Sequence, residues 1–232
     1  MKIAVMQPYF MPYIGYFQLI NAVDKFVIFD DVNYINKGWI NRNNILVNGK
    51  ANLFAIPLKE ASQNKLINEI FIVDEAKWKP KLLKTIEMSY KKAPFFKEIY
   101  PLVEEIVNRG DSKISDYNYH TITRISEYLD IKTEIVSTSA KYNNQNLKAQ
   151  NRIIDICLKE GASTYVNPIG GTELYNKQAF IEKNMEMYFI KSNEVKYRQF
   201  ANEFVPWLSI LDVMMFNSIQ TIKGFLEQYI LV

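Results

Sequence analysis

The chain opens on an apolar run, Lys2-Ile3-Ala4-Val5-Met6, closed by Gln7-Pro8, which is the pattern of a buried β-strand. Beyond it Phe17, Leu19, Ile20 and Val23 recur at near-helical spacing, so a helix is expected over residues 14–23. Asp24 stops that pattern, and Lys25-Phe26-Val27-Ile28-Phe29 reads as a second apolar strand ending in Asp30-Asp31. The three pieces form a β-loop-α-β unit of the size expected for a right-handed parallel crossover. From Arg42 to Leu58 the rhythm changes. Asn48-Gly49 stands between Ile45-Leu46-Val47 and Asn52-Leu53-Phe54-Ala55-Ile56, the strongest short-range hairpin signal. Another strand is expected from Asn68 to Val73.

The middle of the chain carries helical periodicity. Trp78, Leu82, Leu83, Ile86 and Tyr90 share one face of a helix over Lys77 to Lys92, which Pro94 ends. Phe95 to Val107 and Ser115 to Leu129 follow, giving a helical subregion over about residues 76–130. The α/β alternation then resumes: strand Thr133 to Ser137, helix Asn146 to Lys159, strand Ser163 to Val166, a Pro168-Ile169-Gly170-Gly171 turn, a helix from near Lys177 and a strand Met187 to Ile190. Leu208 to Phe216 and Ile219 to Ile230 close the chain as helices. The fold class expected is α/β, a Rossmann-like and mostly parallel sheet with an inserted β-hairpin and a helical subregion. One domain spanning residues 1–232 is the expectation at this length.

Composition removes several classes. Aromatics make up 14% of the residues and 28 basic groups stand against 25 acids, which excludes disorder. Cys157 is the only cysteine and His120 the only histidine, so neither a disulfide scaffold nor a cysteine- or histidine-based zinc site is expected. No run approaches the ~18 apolar residues of a membrane span. The opening strand is too short for a signal peptide, and a soluble cytoplasmic protein is expected. The lysines are scattered rather than striped, which points away from a nucleic-acid partner.

Four clusters could carry chemistry. The first is Gln7-Pro8-Tyr9-Phe10-Met11-Pro12-Tyr13-Ile14-Gly15-Tyr16-Phe17, which joins the first strand to the first helix. In open α/β sheets ligands settle at that junction, and Gly15 allows close backbone approach there. Gln7, Gly15 and Tyr16 are its candidates, against the plainer reading of an aromatic packed loop. The run is neither a Walker loop nor a dinucleotide fingerprint. The second cluster is Asp30-Asp31 with Lys37, Trp39, Asn41 and Arg42. Adjacent acids at a strand end need a cation, a basic partner or a substrate hydroxyl, and Lys37 and Arg42 could neutralise phosphate. Asx turns and surface ion pairs are the competing explanation. The third places Asn167, Gly170 and Gly171 after a strand, the shape of an anion- or sugar-binding turn. In the fourth, Ser209 and Asp212 suit helix capping, while Tyr197 and Gln199 are candidate ligand contacts. His120 is a candidate general base against the plainer reading of a half-buried helix residue, and Cys157 reads as a buried small hydrophobe.

These residues together resemble the WbqC-like family. The pattern is carried by Gln7 to Phe17, Asp30-Asp31-Val32, Trp39-Ile40-Asn41-Arg42-Asn43 and Leu208-Ser209-Ile210-Leu211-Asp212, in order over nearly the whole chain. The resemblance implies a role in building O-antigen or other surface polysaccharide, on an activated sugar. A second, fold-level likeness is to nucleotidylyltransferase-type folds, with Tyr13-Ile14-Gly15-Tyr16 where those carry His-x-Gly-His. The expectation that follows is a transferase with Asp30, Asp31 and Arg42 as catalytic groups. Gln7, Gly15, Tyr16, Lys37, Asn41, Asn167, Gly170 and Gly171 would bind a nucleotide-linked sugar. A nucleotide and Mg²⁺ are the candidate cofactors, and no protein metal site is assigned. The alternative is a non-catalytic carbohydrate-binding protein with Tyr9, Phe10, Tyr13, Tyr16 and Trp39 as stacking platforms.

Overall fold

The computed structural model describes residues 1–73, 77–201 and 203–232. Strand β1 (Lys2–Met6), helix α1 (Ile14–Asn21) and strand β2 (Lys25–Ile28) form the expected parallel unit, in register from Ile3 opposite Lys25 to Met6 opposite Ile28. The hairpin follows as β3 (Arg42–Val47) and β4 (Lys50–Ala55), paired about Asn48-Gly49 with both turn residues at positive φ. A short pair, β5 (Leu58–Lys59) and β6 (Phe71–Ile72), leads to helices α2 (Trp78–Tyr90), α3 (Phe96–Asn108) and α4 (Ile114–Tyr128). Residue 76, the expected start of this helical subregion, lies outside the described residues. The chain returns through β7 (Glu134–Val136), α5 (Ala149–Lys159), β8 (Thr164–Pro168), α6 (Lys177–Ile181) and β9 (Glu186–Ser192). It ends with α7 (Ile210–Phe216), α8 (Ile219–Leu226) and β10 (Tyr229–Leu231).

The main sheet has the order β10-β9-β8-β1-β2-β7, parallel except for β10. It grows outward from β1 to β2 and β7, then crosses to the other side of β1 with β8 and β9. That is the doubly wound order, with its reversal between β1 and β8. Alternation along the strands divides the core. Ile3, Val5, Val27 and Tyr165 pack toward α5 and α6, and Ala4, Phe26, Ile28 and Val166 toward α1 and the inserted helices. No helix among the described residues is long and apolar enough to cross a membrane.

Three elements differ from the periodicity. The expected helix over Ile219 to Ile230 stops at Leu226, and Tyr229–Leu231 pairs antiparallel with β9. A short apolar run does not by itself distinguish helix from buried strand, and the open edge of β9 decides. The expected strand from Asn68 to Val73 is a single 3₁₀ turn, Ile67–Glu69, followed by β6. The Glu69 carboxylate accepts from the Leu66 N–H at 2.9 Å and holds that turn. Helix α5 starts three residues later than expected, at Ala149, which itself takes a left-handed φ of 47°.

Candidate functional site

Parallel packing brings the carboxyl ends of β1, β2, β7 and β8 to one edge of the sheet, with the start of α5 above them. A hollow of about 460 Å³ opens there. Its walls come from the tail of β2 (Phe29, Asp31, Val32), the entry to α5 (Gln145, Lys148, Gln150, Arg152) and Tyr175 beyond β8. The size lies within the roughly 300–1,000 Å³ of small-molecule sites.

Asp31 and Arg152 dominate this wall, and both are buried. The Asp31 carboxylate takes the Arg152 guanidinium and the Ser139 hydroxyl, and accepts from Gln145 Nε2 at 2.9 Å. Arg152 also donates Nε to Asn144 Oδ1 and Nη1 to the Asp31 carbonyl, each at 2.9 Å. Its guanidinium lies 4.9 Å from the Phe29 ring centroid. Burial of such a pair is tolerated because Ser139 and Gln145 also satisfy the carboxylate, and Asn144 and the Asp31 carbonyl also take N–H groups of the guanidinium. Asp30 stands behind it. Thr138 Oγ1 and the Ser139 N–H donate to its Oδ1 at 2.7 and 3.1 Å, while burial pushes its carboxyl above the usual range.

The other sequence-derived candidates divide into two groups. Near the hollow, buried Asn167 accepts from Tyr165 Oη at 3.0 Å, and Tyr165 Oη lies 3.3 Å from Tyr175 Oη. Gly171 is bare for a reason: a Cβ there would sit 2.0 Å from Asn167 Nδ2, whereas one on Gly170 would meet open space. The second group neighbours a separate aromatic hollow of about 210 Å³, lined by Tyr9, Pro12, Tyr13, Trp39, Asn43 and Trp207; Gln7, Gly15, Tyr16, Lys37, Asn41 and Arg42 are not on that lining. Gly15 lies under the Tyr13 ring, where a Cβ would come within 2.3 Å of Tyr13 Cε2 and 2.6 Å of Ser192 Oγ. Tyr16 is buried and donates its hydroxyl to the Gln7 carbonyl at 2.9 Å; burial holds its pKa well above that of free tyrosine. Arg42 closes its own turn, donating to the carbonyls of Gly38 (3.0 Å) and Lys37, with its guanidinium 5.9 Å from the Trp39 ring centroid. Lys37 is exposed. Asn41 bridges Tyr34 Oη and the Ile56 carbonyl.

A model of the WbqC-like protein family matches residues 7–224. The chain belongs to that family. It is also 28% identical, over 219 residues and 93% of each chain, to the uncharacterized protein Rv1507c of Mycobacterium tuberculosis. No solved structure matches it. Residues of the blocks that carry the WbqC-like pattern line both hollows: Asp31 and Val32 one, and Tyr9, Pro12, Tyr13, Trp39 and Asn43 the other.

The late WbqC-like block has a different place. Ser209 caps α7, accepting from the Leu211 N–H, and donates to the Met11 carbonyl at 2.7 Å. Asp212 is fully buried, and its carboxylate accepts from Tyr90 Oη (2.8 Å), Tyr197 Oη (2.7 Å) and Gln199 Nε2 (2.6 Å). Burial raises its pKa despite these donors. The Tyr197 hydroxyl and the Gln199 amide are thus committed to Asp212. His120 is half-buried, with Nδ1 3.0 Å from Asp111 Oδ1 beside Arg109. Cys157 is buried, its thiol pushed up to about 12.

Arg152, Gln145 and Lys148 were missed by sequence reasoning. The usable signal was Arg152 itself, an arginine adjoining the apolar stripe Ile153, Ile154, Ile156 and Cys157 of α5. A long cation in that position is buried only with a partner.

Proposed function

We propose that this WbqC-like protein binds a nucleotide-linked sugar in the carboxyl-edge hollow and transfers a group from it, in surface-polysaccharide assembly of the O-antigen type. The observation carrying this reading is the buried Asp31–Arg152 pair on the wall of a ligand-sized hollow at the sheet's carboxyl edge. In doubly wound sheets that edge receives nucleotides and phosphates. Arg152 commits three of its five N–H groups to Asn144 and Asp31, and the fork so positioned would meet a phosphate with the other two. Exposed Lys148 adds a mobile charge at the start of α5, whose first turn has no side-chain cap.

Each acid then has a distinct role. Asp31 is saturated by donors and holds Arg152. Asp30 lies behind the hollow's lining and takes its side-chain bonds from Thr138 and Ser139, so it would brace the Ser139 hydroxyl that bonds Asp31 rather than touch the substrate. In sugar transfer the acceptor oxygen would bond to the anomeric carbon as the bond to phosphate oxygen breaks, and the acceptor's proton would leave to solvent or to the departing diphosphate. Arg152 and Lys148 would stabilise charge on the departing diphosphate. Any Mg²⁺ would share the phosphate oxygens, because the described residues contain no cluster of three or more acids, histidines or cysteines placed to hold a metal.

Calorimetric titration with uridine diphosphate and its glucose ester tests this. Wild type should bind both saturably, and Lys148→Ala should weaken binding roughly tenfold. Arg152→Lys keeps the charge but loses the fork, and should weaken it further. Wild type that binds neither compound, or two variants that bind as wild type does, would overturn the reading.

A further inference from the structure

The aromatic hollow shares no lining residue with the carboxyl-edge hollow and needs its own explanation. Two of its walls are tryptophans left in water: Trp39 is 44% exposed and Trp207 is 65% exposed. Exposed indoles forgo burial that would otherwise stabilise the fold. Trp207 also sits at a φ of 60°, and Met11, inside the loop that forms the floor, at 42°. A bulky side chain in the left-handed region is strained and persists only where the surroundings enforce it.

The surroundings do enforce it. Phe10 N–H donates to the Trp39 carbonyl at 3.2 Å, Asn43 Nδ2 to the Met11 carbonyl at 2.8 Å, and Ile210 N–H to the Pro12 carbonyl at 2.9 Å. With Ser209 Oγ on Met11, these bonds lock three distant stretches of chain around one cup. Strain maintained by a bonded frame, around side chains that do not bury one another, marks a surface prepared for something else.

We propose that this hollow is a docking site for one uncharged sugar ring. Its chemistry rejects the other ligands that aromatic walls attract. A quaternary ammonium group would meet no carboxylate on the lining, and the Arg42 guanidinium already occupies a face of Trp39. A flat base needs a parallel slot and edge partners. Here Tyr13 and Trp207 meet at 65° with centroids 6.0 Å apart, and Asn43, the one amide, is spent on backbone carbonyls. A sugar chair instead presents C–H groups in several directions and hydroxyls around its rim. Tilted aromatic faces suit the first, and phenol O–H and indole N–H groups suit the second. At about 210 Å³ the hollow holds one ring and no oligosaccharide.

Tryptophan emission of the full chain, titrated with the methyl glycosides of common hexoses and N-acetylhexosamines, tests the assignment. At least one glycoside should shift the emission saturably, while choline and adenosine do not. Trp207→Gly relieves the backbone strain and should weaken that glycoside roughly tenfold. If this variant misfolds, saturation-transfer NMR on wild type must place the glycoside's C–H protons against aromatic resonances. Silence with every glycoside, preference for choline or adenosine, a folded Trp207→Gly that binds as wild type does, or saturation transfer that reaches no aromatic resonance would overturn the proposal. The carboxyl-edge reading would survive any of these results.

Discussion

Two buried carboxylates, Asp31 and Asp212, look alike in isolation and do different work. Each lies inside the protein, and each accepts from three side chains. Around Asp212 the donors are neutral, two tyrosines and a glutamine. They come from α2 and from the segment after β9, while Asp212 itself lies on α7, so their bonds pin together elements far apart in sequence. Around Asp31 one donor is a cation, and the pair forms the wall of a hollow that solvent reaches. A carboxylate sealed among neutral donors specifies a packing arrangement. A carboxylate that fixes an arginine at an opening prepares a charge for a ligand. Access and counter-charge, rather than burial or bond count, separate the two.

That contrast breaks most readily at Arg152. Arg152→Ala leaves Asp31 buried without its cation, and should cost about 3–5 kcal/mol in denaturant unfolding and abolish binding of uridine diphosphate. Asp212→Asn comes next. An amide offers its N–H₂ where tyrosine or glutamine already donates, and the loss should be about 2–3 kcal/mol, with affinity per folded molecule unchanged. An affinity loss equal to that of Arg152→Ala would erase the distinction. Gly171→Ala forces a methyl against Asn167 and should cost about 1–3 kcal/mol, whereas Gly170→Ala, facing open space, should be nearly neutral in the same assay.

The smallest effect is pH-dependent. Asp30 has a raised pKa in the folded state, so the folded chain holds its proton more tightly than the unfolded one. Its contribution to stability therefore falls as pH climbs from the ordinary carboxylate value to the raised one, and the cost stays in full above that. Asp30→Asn keeps the Oδ1 acceptor for Thr138 and Ser139 and removes the charge. It should match wild type at low pH and exceed it slightly near neutrality, by less than any loss above. The comparison is read from stability curves across pH. A gain that persists unchanged in acid would show that ionisation of Asp30 is not its source.

Much of the fold was legible because its signals are local. The run Lys2 to Met6, the acids that end β2 and the Asn48-Gly49 turn depend on neighbours within a few residues, and each lies where the pattern put it. The tail from Tyr229 was not legible. Its helical or extended state depends on whether β9 offers a free edge, and that edge is assembled from distant chain. The candidate chemistry divides in the same way. Asp31 stood out as one of two adjacent acids, but Arg152 lies 121 residues away and was hidden beside a helix's apolar stripe. Arg42, the nearer cation in sequence, is drawn into its own turn by the carbonyls of Lys37 and Gly38.

By itself, then, the sequence determined the alternating α/β order, the hairpin, the family and the residue types available for chemistry, because periodicity and turn chemistry act over short separations. Only the tertiary structure decided which acid meets which cation, which aromatics stay in water, and that Asp31 and the Tyr9 to Tyr13 loop face separate hollows. Those outcomes depend on the crossing from β2 to β7 and back past β1 to β8. No local pattern encodes where that path brings two side chains together.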